Sequence, residues 1–149
     1  METSKQLIDL VEKLLSQMGI AGVVTVQERP GTFVVHVETE DSELLIGKTG
    51  ETLDAFQAII RLMSHRNLDL GETRLLVDVN SYRRQREEDL LTFVNEVANR
   101  VKETGTAETL RPMSSYERHL VHEVISQMEG LATESTGLGA ERRITVRPT

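Results

Sequence analysis

Leu44-Leu45-Ile46-Gly47-Lys48-Thr49-Gly50-Glu51-Thr52-Leu53 is the stretch that decides how this chain is organised. Two glycines enclose a lysine and a threonine, and apolar residues lie at helical spacing on either side. Upstream, Asp41-Ser42-Glu43 offers N-cap residues for one short helical turn through Leu44, Leu45 and Ile46. Downstream, Leu53, Phe56, Ile60 and Met63 step by three or four with Ile59 beside them, which predicts a helix to about His65. The tetrapeptide therefore joins two helices. A nucleotide-binding P-loop needs Gly-x-x-x-x-Gly-Lys-[Ser/Thr] after a buried strand. Ser42 stands where the first glycine belongs, and a helical turn precedes the loop, so that reading fails on both counts. Two readings stay open. One is a plain helix–helix turn in which glycine permits positive φ. The other is a loop whose missing side chains let a phosphate backbone approach its N–H groups, the next helix N-terminus and the Lys48 ammonium.

Working outward, Leu7, Leu10, Val11, Leu14, Leu15 and Met18 have helical spacing, with Gly19 as the stop. Val23–Gln27 and Phe33–Glu38 are β-branched runs separated by Arg29-Pro30-Gly31, which predicts a hairpin with Phe33, Val35 and Val37 on its buried face. Arg74–Val79 is a third strand. The longest helix is predicted from Tyr82 to about Thr104, with Leu90, Val94, Val97 and Val101 in line and Gly105 at its end. Beyond it lie a short strand around Glu108–Leu110, a helix from Ser114 to Met128, a Gly/Ser/Thr-rich loop from Thr133 to Ala140, and a strand from Arg142 to Val146. The expected partition is a first unit over 1–80, a connecting helix over 81–104 and a second unit over 105–149.

The order helix, strand, strand, short helix, Gly-x-x-Gly, helix, strand over residues 1–80 resembles the type II KH domain, a single-stranded nucleic-acid binder. In the KH mode that this resemblance implies, Gly47, Lys48, Thr49 and Gly50 cradle a phosphate, and Ile46 and Leu53 line a shallow apolar groove for the bases. Glu51 and Asp54, in the first turn of the following helix, suit its dipole but repel phosphate.

Ser114-Ser115-Tyr116-Glu117 has the form of a capping box, which explains locally why Glu117 falls in line with the apolar stripe Leu120, Val121, Val124, Ile125 and Met128. Arg118 and His122 stack four residues apart at the edge of that stripe, with His119 and Ser115 extending the polar side. Such a pair can hold one phosphate, or Arg118 can bond a carboxylate or a loop carbonyl while His122 sits as a satisfied boundary histidine. The wider string Arg111-Pro112-Met113-Ser114-Ser115-Tyr116-Glu117-Arg118-His119-Leu120-Val121-His122 resembles the signature of the R-three-H domain, another single-stranded nucleic-acid binder. A KH unit followed by an R-three-H unit resembles the Jag family, the SpoIIIJ-associated RNA-binding proteins of bacteria, over essentially the whole chain. Many members carry a further N-terminal domain and linker, which are not expected within these 149 residues. The loop Ser135–Glu141 keeps the family's glycines but is less acidic. The resemblance also implies a complex with a small stand-alone KH protein and a regulatory role in cell elongation or division.

Composition narrows the alternatives. The chain has 17 Lys+Arg against 24 Asp+Glu, a net charge of −7, and neither Cys nor Trp. Disulfides, thiol nucleophiles and Cys-ligated metal sites are thereby excluded. The N-terminus has no signal-peptide pattern, and no stretch approaches the ~20 apolar residues of a membrane span, so a cytoplasmic location is expected. The acidity is concentrated: residues 1–80 hold 7 basic and 13 acidic side chains, residues 81–149 hold 10 and 11. This excludes charge-driven coating of nucleic acid and leaves room for local phosphate capture. Phe33, Phe56 and Phe93 fall on apolar faces, which speaks against bases stacked on several rings. Tyr82-Arg83-Arg84-Gln85-Arg86 is the densest basic cluster. Arg83 and Arg86 continue the line of Leu90 and are candidates for phosphate contact, with pairing to Glu87, Glu88 and Asp89 as the alternative.

An enzyme is unmotivated. His119-Leu120-Val121-His122-Glu123 is not His-Glu-x-x-His, no third metal ligand accompanies the two histidines, and no Gly-x-Ser-x-Gly elbow occurs. The expected protein is α+β, built of two small units, needs no cofactor, and binds single-stranded RNA, or single-stranded DNA, without catalysis. The competing classes are a protein–protein module with little nucleic-acid affinity and a metal-dependent nuclease.

Overall fold

Arg29-Pro30-Gly31 turns the chain between two strands as its composition predicts, and the first unit grows from that hairpin. The computed structural model describes all residues from Met1 to Thr149, in two units, Met1–Arg83 and Arg84–Thr149. The first contains α1 (Glu2–Gln17), β1 (Val23–Arg29), β2 (Thr32–Glu38), α2 (Ser42–Ile46), α3 (Glu51–Asn67) and β3 (Arg74–Val79). Strands β1 and β2 pair antiparallel, with Val24 opposite Val37, and β2 pairs parallel with β3, with Val35 opposite Val77. The sheet order is β1-β2-β3, which leaves β3 at an edge.

One face of this sheet and three helices enclose a core of Leu7, Val11 and Leu15 from α1, Val35 and Val37 from β2, Leu45 from α2, Leu53, Phe56 and Ile60 from α3, and Val77 from β3. Burying each such side chain fully contributes about 1.5–3 kcal/mol. Met18 lies beyond the end of α1 and is 49% exposed, so it stands outside the stripe expected for it. On the opposite sheet face Val34 is also buried, flanked in register by Gln27 and Leu76.

The passage from β3 to α4 (Tyr82–Thr104) needs two consecutive left-handed residues, Asn80 at φ 51° and Ser81 at φ 57°. Asn80 is held there by its side chain, whose Oδ1 accepts from Thr39 N at 3.0 Å and whose Nδ2 donates to Thr39 O at 2.8 Å. Asn tolerates this conformation better than other non-glycine residues. Asp78 Oδ1 accepts from the backbone N of Arg83 at 3.2 Å at the start of α4.

The second unit comprises α4 from Arg84 onward, β4 (Glu108–Thr109), α5 (Ser115–Ser126), β5 (Leu131–Thr136), a short 3-10 turn at Gly139–Glu141, and β6 (Arg143–Pro148). Its sheet is antiparallel in the order β4-β6-β5. Leu90, Val94, Val97, Ala98 and Val101 of α4 share a core with Val121 and Ile125 of α5 and Ile144 and Val146 of β6. The helix set apart in the sequence as a connector thus supplies one wall of the second core. The loop expected from Thr133 is also corrected. Residues Thr133–Thr136 are strand, because β5 pairs with β6 from Leu131↔Pro148 to Thr136↔Arg143, and only the following glycine-containing segment turns the chain. No helix is long and apolar enough to cross a membrane.

Candidate nucleic-acid interface

In the first unit, α2 ends at Gly47 (φ 79°), whose N–H donates to Glu43 O at 3.0 Å, and α3 begins after Gly50 (φ 88°). Both glycines have φ values that other residues rarely adopt. The flanking Leu53 is 0% exposed and Ile46 8% exposed, and both belong to the core. They fix the loop from beneath. Leu53 therefore does not line an open groove, a correction that follows from the inward turn of the buried face of α3. Lys48 and Thr49 are exposed, and the Lys48 ammonium joins no ion pair within the unit.

Three of the loop's four N–H groups, those of Gly47, Lys48 and Thr49, are occupied. Glu51 folds its side chain back so that Oε1 accepts from Lys48 N at 3.1 Å and Oε2 from Thr49 N at 2.9 Å. Thr49 Oγ1 donates to the same Oε2 at 2.5 Å. The Thr49 hydroxyl, followed by the backbone N–H groups, holds the Glu51 carboxyl down at about 2.

Arg83 is committed elsewhere. Its Nη2 meets Asp54 Oδ1 at 3.1 Å and Gln57 Oε1 at 3.4 Å, and its Nε donates to Val77 O at 3.1 Å. Gln57 Oε1 also accepts from Val77 N at 2.9 Å. The two side chains thereby cap the exposed edge of β3 at Val77, and edge strands require such cover. Arg83 is thus drawn into the first unit's own structure, away from the phosphate contact expected of it.

In the second unit, Ser114 Oγ accepts from Glu117 N at 3.2 Å and Glu117 Oε2 accepts from Ser114 N at 3.0 Å, completing the capping box. Glu117, 9% exposed, also receives Arg86 Nε at 2.5 Å on Oε1. Burial pushes its carboxyl up, but the Arg86 and Ser114 hydrogen bonds and the Arg86 and Arg111 charges outweigh this and leave it lowered. Arg86 therefore acts as a structural partner of Glu117. Elsewhere in the basic cluster, Arg84 Nε lies 3.7 Å from Glu88 Oε1 and Gln85 Nε2 donates to Asp89 Oδ1 at 3.0 Å.

Along α5, Arg118 Nη1 donates to Met113 O at 2.6 Å and Nη2 to Ser115 Oγ at 3.0 Å. These neutral partners orient the guanidinium without cancelling its charge. His122 Nδ1 is hydrogen-bonded to Thr133 Oγ1 on β5, which leaves Nε2 unused. Burial lowers the His122 pKa first, and the His119, Arg118 and Arg142 charges lower it further. Arg142 anchors the β5–β6 connection, donating to Gly137 O at 2.8 Å and Ser135 O at 3.4 Å, and likewise joins no ion pair. The structure thus brings together Arg118, His119 and His122, and adds two residues that sequence reading missed, Thr133 and Arg142. The Arg142-Arg143 doublet at the start of the last strand was the only signal for the latter. No group of His, Asp and Glu side chains is placed to hold a metal ion.

Comparison with known proteins follows the same division. Residues 5–77 match the family model for the KhpA/KhpB KH domain, and residues 88–148 the model for the R-three-H domain. The chain is 29% identical to the RNA-binding protein KhpB of Clostridium symbiosum over 93% of this chain and 63% of the relative. It is 34% identical to KhpB of Bacillus subtilis over 83% of this chain and 60% of that protein. Against KhpB of Streptococcus pneumoniae the identity is 24%, over 97% of this chain and 44% of the relative. The chain therefore spans between 44% and 63% of the length of these curated relatives.

Proposed function

Since the chain belongs to the Jag family, in which a KH domain of the KhpA/KhpB type precedes an R-three-H domain, we propose that it is a non-catalytic, cytoplasmic single-stranded RNA-binding protein. The observation that carries this reading is the cation cluster of the second unit. Arg118 and Arg142 are oriented by carbonyl and hydroxyl groups, with His119 and His122 beside them and no carboxylate neutralising either guanidinium. Pre-oriented donors with unspent charge are what a phosphodiester requires. In the first unit, Lys48 and the Gly47–Gly50 backbone supply a second phosphate contact. Arg83 and Arg86 serve as positioning residues that hold α3 to β3 and α4 to α5. Family membership further supports a complex with a small stand-alone KH protein and a role in regulating cell elongation or division.

The acidity of the first unit favours a second reading, a protein–protein module with little RNA affinity. Titration of labelled single-stranded RNA at several salt concentrations separates the two, using wild type, Lys48→Asp and Arg118→Ala. RNA binding predicts that log affinity falls linearly with log salt, and that Arg118→Ala makes the slope shallower by about 0.7. Absence of binding at low salt, with all three proteins folded, leaves the protein–protein module. A single-stranded DNA of the same sequence tests whether the 2′-hydroxyl matters.

A further inference from the structure

The loop that captures phosphate in the RNA-binding reading already holds an anion. We propose that Glu51 is a built-in occupant of the loop's anion site, so that an RNA phosphate reaches the Lys48 and Thr49 N–H groups only by displacing the Glu51 carboxylate. This inference rests on that reading and concerns the loop's selectivity.

Three donors converge on the two oxygens of Glu51: the backbone N–H groups of Lys48 and Thr49 and the Thr49 hydroxyl. A carboxylate and a phosphodiester both present a pair of anionic oxygens, so the donors that suit one suit the other. At the start of the loop, Gly47 N is bonded to Glu43 O and offers no alternative to the Lys48 and Thr49 pair. The loop is also shaped around the closed arrangement. A Cβ at Gly47 would lie 2.6 Å from Thr52 Oγ1 and 3.0 Å from Glu51 Oε1, so only glycine lets the carboxylate seat itself. Gly50, in the left-handed region, places Glu51 at the first position of α3, where the helix dipole further favours a negative charge.

A tethered anion competes at an effective concentration that a free monophosphate does not match. An RNA strand overcomes it because its other phosphates are held elsewhere, by the Lys48 ammonium or by the cations of the second unit. Glu51 thus makes the loop respond to polynucleotide and ignore isolated phosphate, and it sets the loop's contribution to affinity.

The test titrates a labelled single-stranded RNA 20-mer at low salt with the full chain carrying Glu51→Gln, Glu51→Asp or Glu43→Gln. Glu51→Gln removes the occupant's charge. Glu51→Asp keeps the charge but is one methylene too short to span both N–H groups. Glu43→Gln removes a nearby carboxylate that no loop N–H contacts. The proposal expects Glu51→Gln to tighten binding about tenfold, Glu51→Asp to tighten it to a smaller extent, and Glu43→Gln to change it by less than about twofold. It also expects the Lys48 and Thr49 amide signals of wild type to shift on saturation with RNA and to stay put with inorganic phosphate. If wild type binds RNA and neither Glu51 variant binds more tightly than Glu43→Gln, Glu51 is a structural cap and the proposal is overturned. If Glu51→Gln disturbs the loop's amide spectrum, Glu51→Asp decides alone. Absence of RNA binding by every protein at low salt overturns the RNA-binding reading together with the proposal.

Discussion

Arg86 on α4 donates through Nε to Glu117 on α5 at 2.5 Å, and the carboxylate it meets is the same one that completes the Ser114 capping box. One side chain thereby ties the start of the R-three-H helix to the long helix behind it. Replacing Arg86 by Ala leaves a nearly buried carboxylate with one partner fewer. The expected cost is about 2–3 kcal/mol, below the ~3–5 kcal/mol of a fully buried pair because Arg86 remains about one-third exposed. Urea denaturation of wild type, Arg86→Ala and Arg86→Lys measures it, with the lysine variant expected between the other two. A cost under about 0.5 kcal/mol for Arg86→Ala would show that the pair is not holding α5.

The same pair makes stability acid-sensitive. Glu117 is held below its ordinary 4.5 in the folded state, so the unfolded chain binds the proton more readily. Its contribution is complete above pH 4.5 and is lost as pH falls below that value through the lowered folded pKa. The difference in urea midpoint between wild type and Glu117→Gln should therefore be constant from pH 7 to 5 and shrink below 4.5. A difference independent of pH would mean that Glu117 acts by shape alone.

His122 gives RNA binding the opposite pH trend. Burial and the neighbouring His119, Arg118 and Arg142 lower the His122 pKa and so favour the neutral imidazole in the free protein. A phosphate placed against Nε2 favours the imidazolium, so binding takes up a proton. Affinity should rise as pH falls from 7.5 to 6, by at most tenfold per unit. His122→Gln should remove most of this dependence. An unchanged profile in His122→Gln would take the imidazole out of the site.

Two glycines separate loop conformation from packing. Gly50→Ala forces a left-handed alanine, at about 1–2 kcal/mol, and brings its Cβ to 3.1 Å from Tyr82 Cε1, where the ring must shift. Gly137→Ala meets main chain instead, 3.0 Å from Glu141 O and 3.1 Å from Arg142 Cα, which cannot move without opening the hairpin. Calorimetry should therefore show the larger loss for Gly137→Ala. Its RNA affinity should also fall, because Arg142 is anchored on the Gly137 carbonyl.

Much of the architecture was legible because it is written in neighbours three or four residues apart. Leu7, Val11 and Leu15 declare one face of α1, Ser114 and Glu117 declare the start of α5, and the Gly47–Gly50 loop between two helices declares the first unit. The Thr133–Ala140 segment misled because Thr, Ser and Gly suit turns and edge strands alike. Only pairing with β6 made its first half a strand.

Partner choice was the part that sequence could not determine. Arg83 and Arg86 stand next to Glu87, Glu88 and Asp89, yet they pair with Asp54, 29 residues away, and Glu117, 31 residues away. Local spacing makes every nearby carboxylate a candidate, while the packed elements bring only certain ones within hydrogen-bonding distance, Asp54 at an exposed position and Glu117 at a largely buried one, where such a bond matters most. Glu51 shows the complementary case. Its position beside the loop is a fact of sequence, and so is its charge. That the carboxylate turns inward onto the Lys48 and Thr49 N–H groups was decided by the backbone geometry the two glycines create, which presents one donor to each oxygen of the same carboxylate.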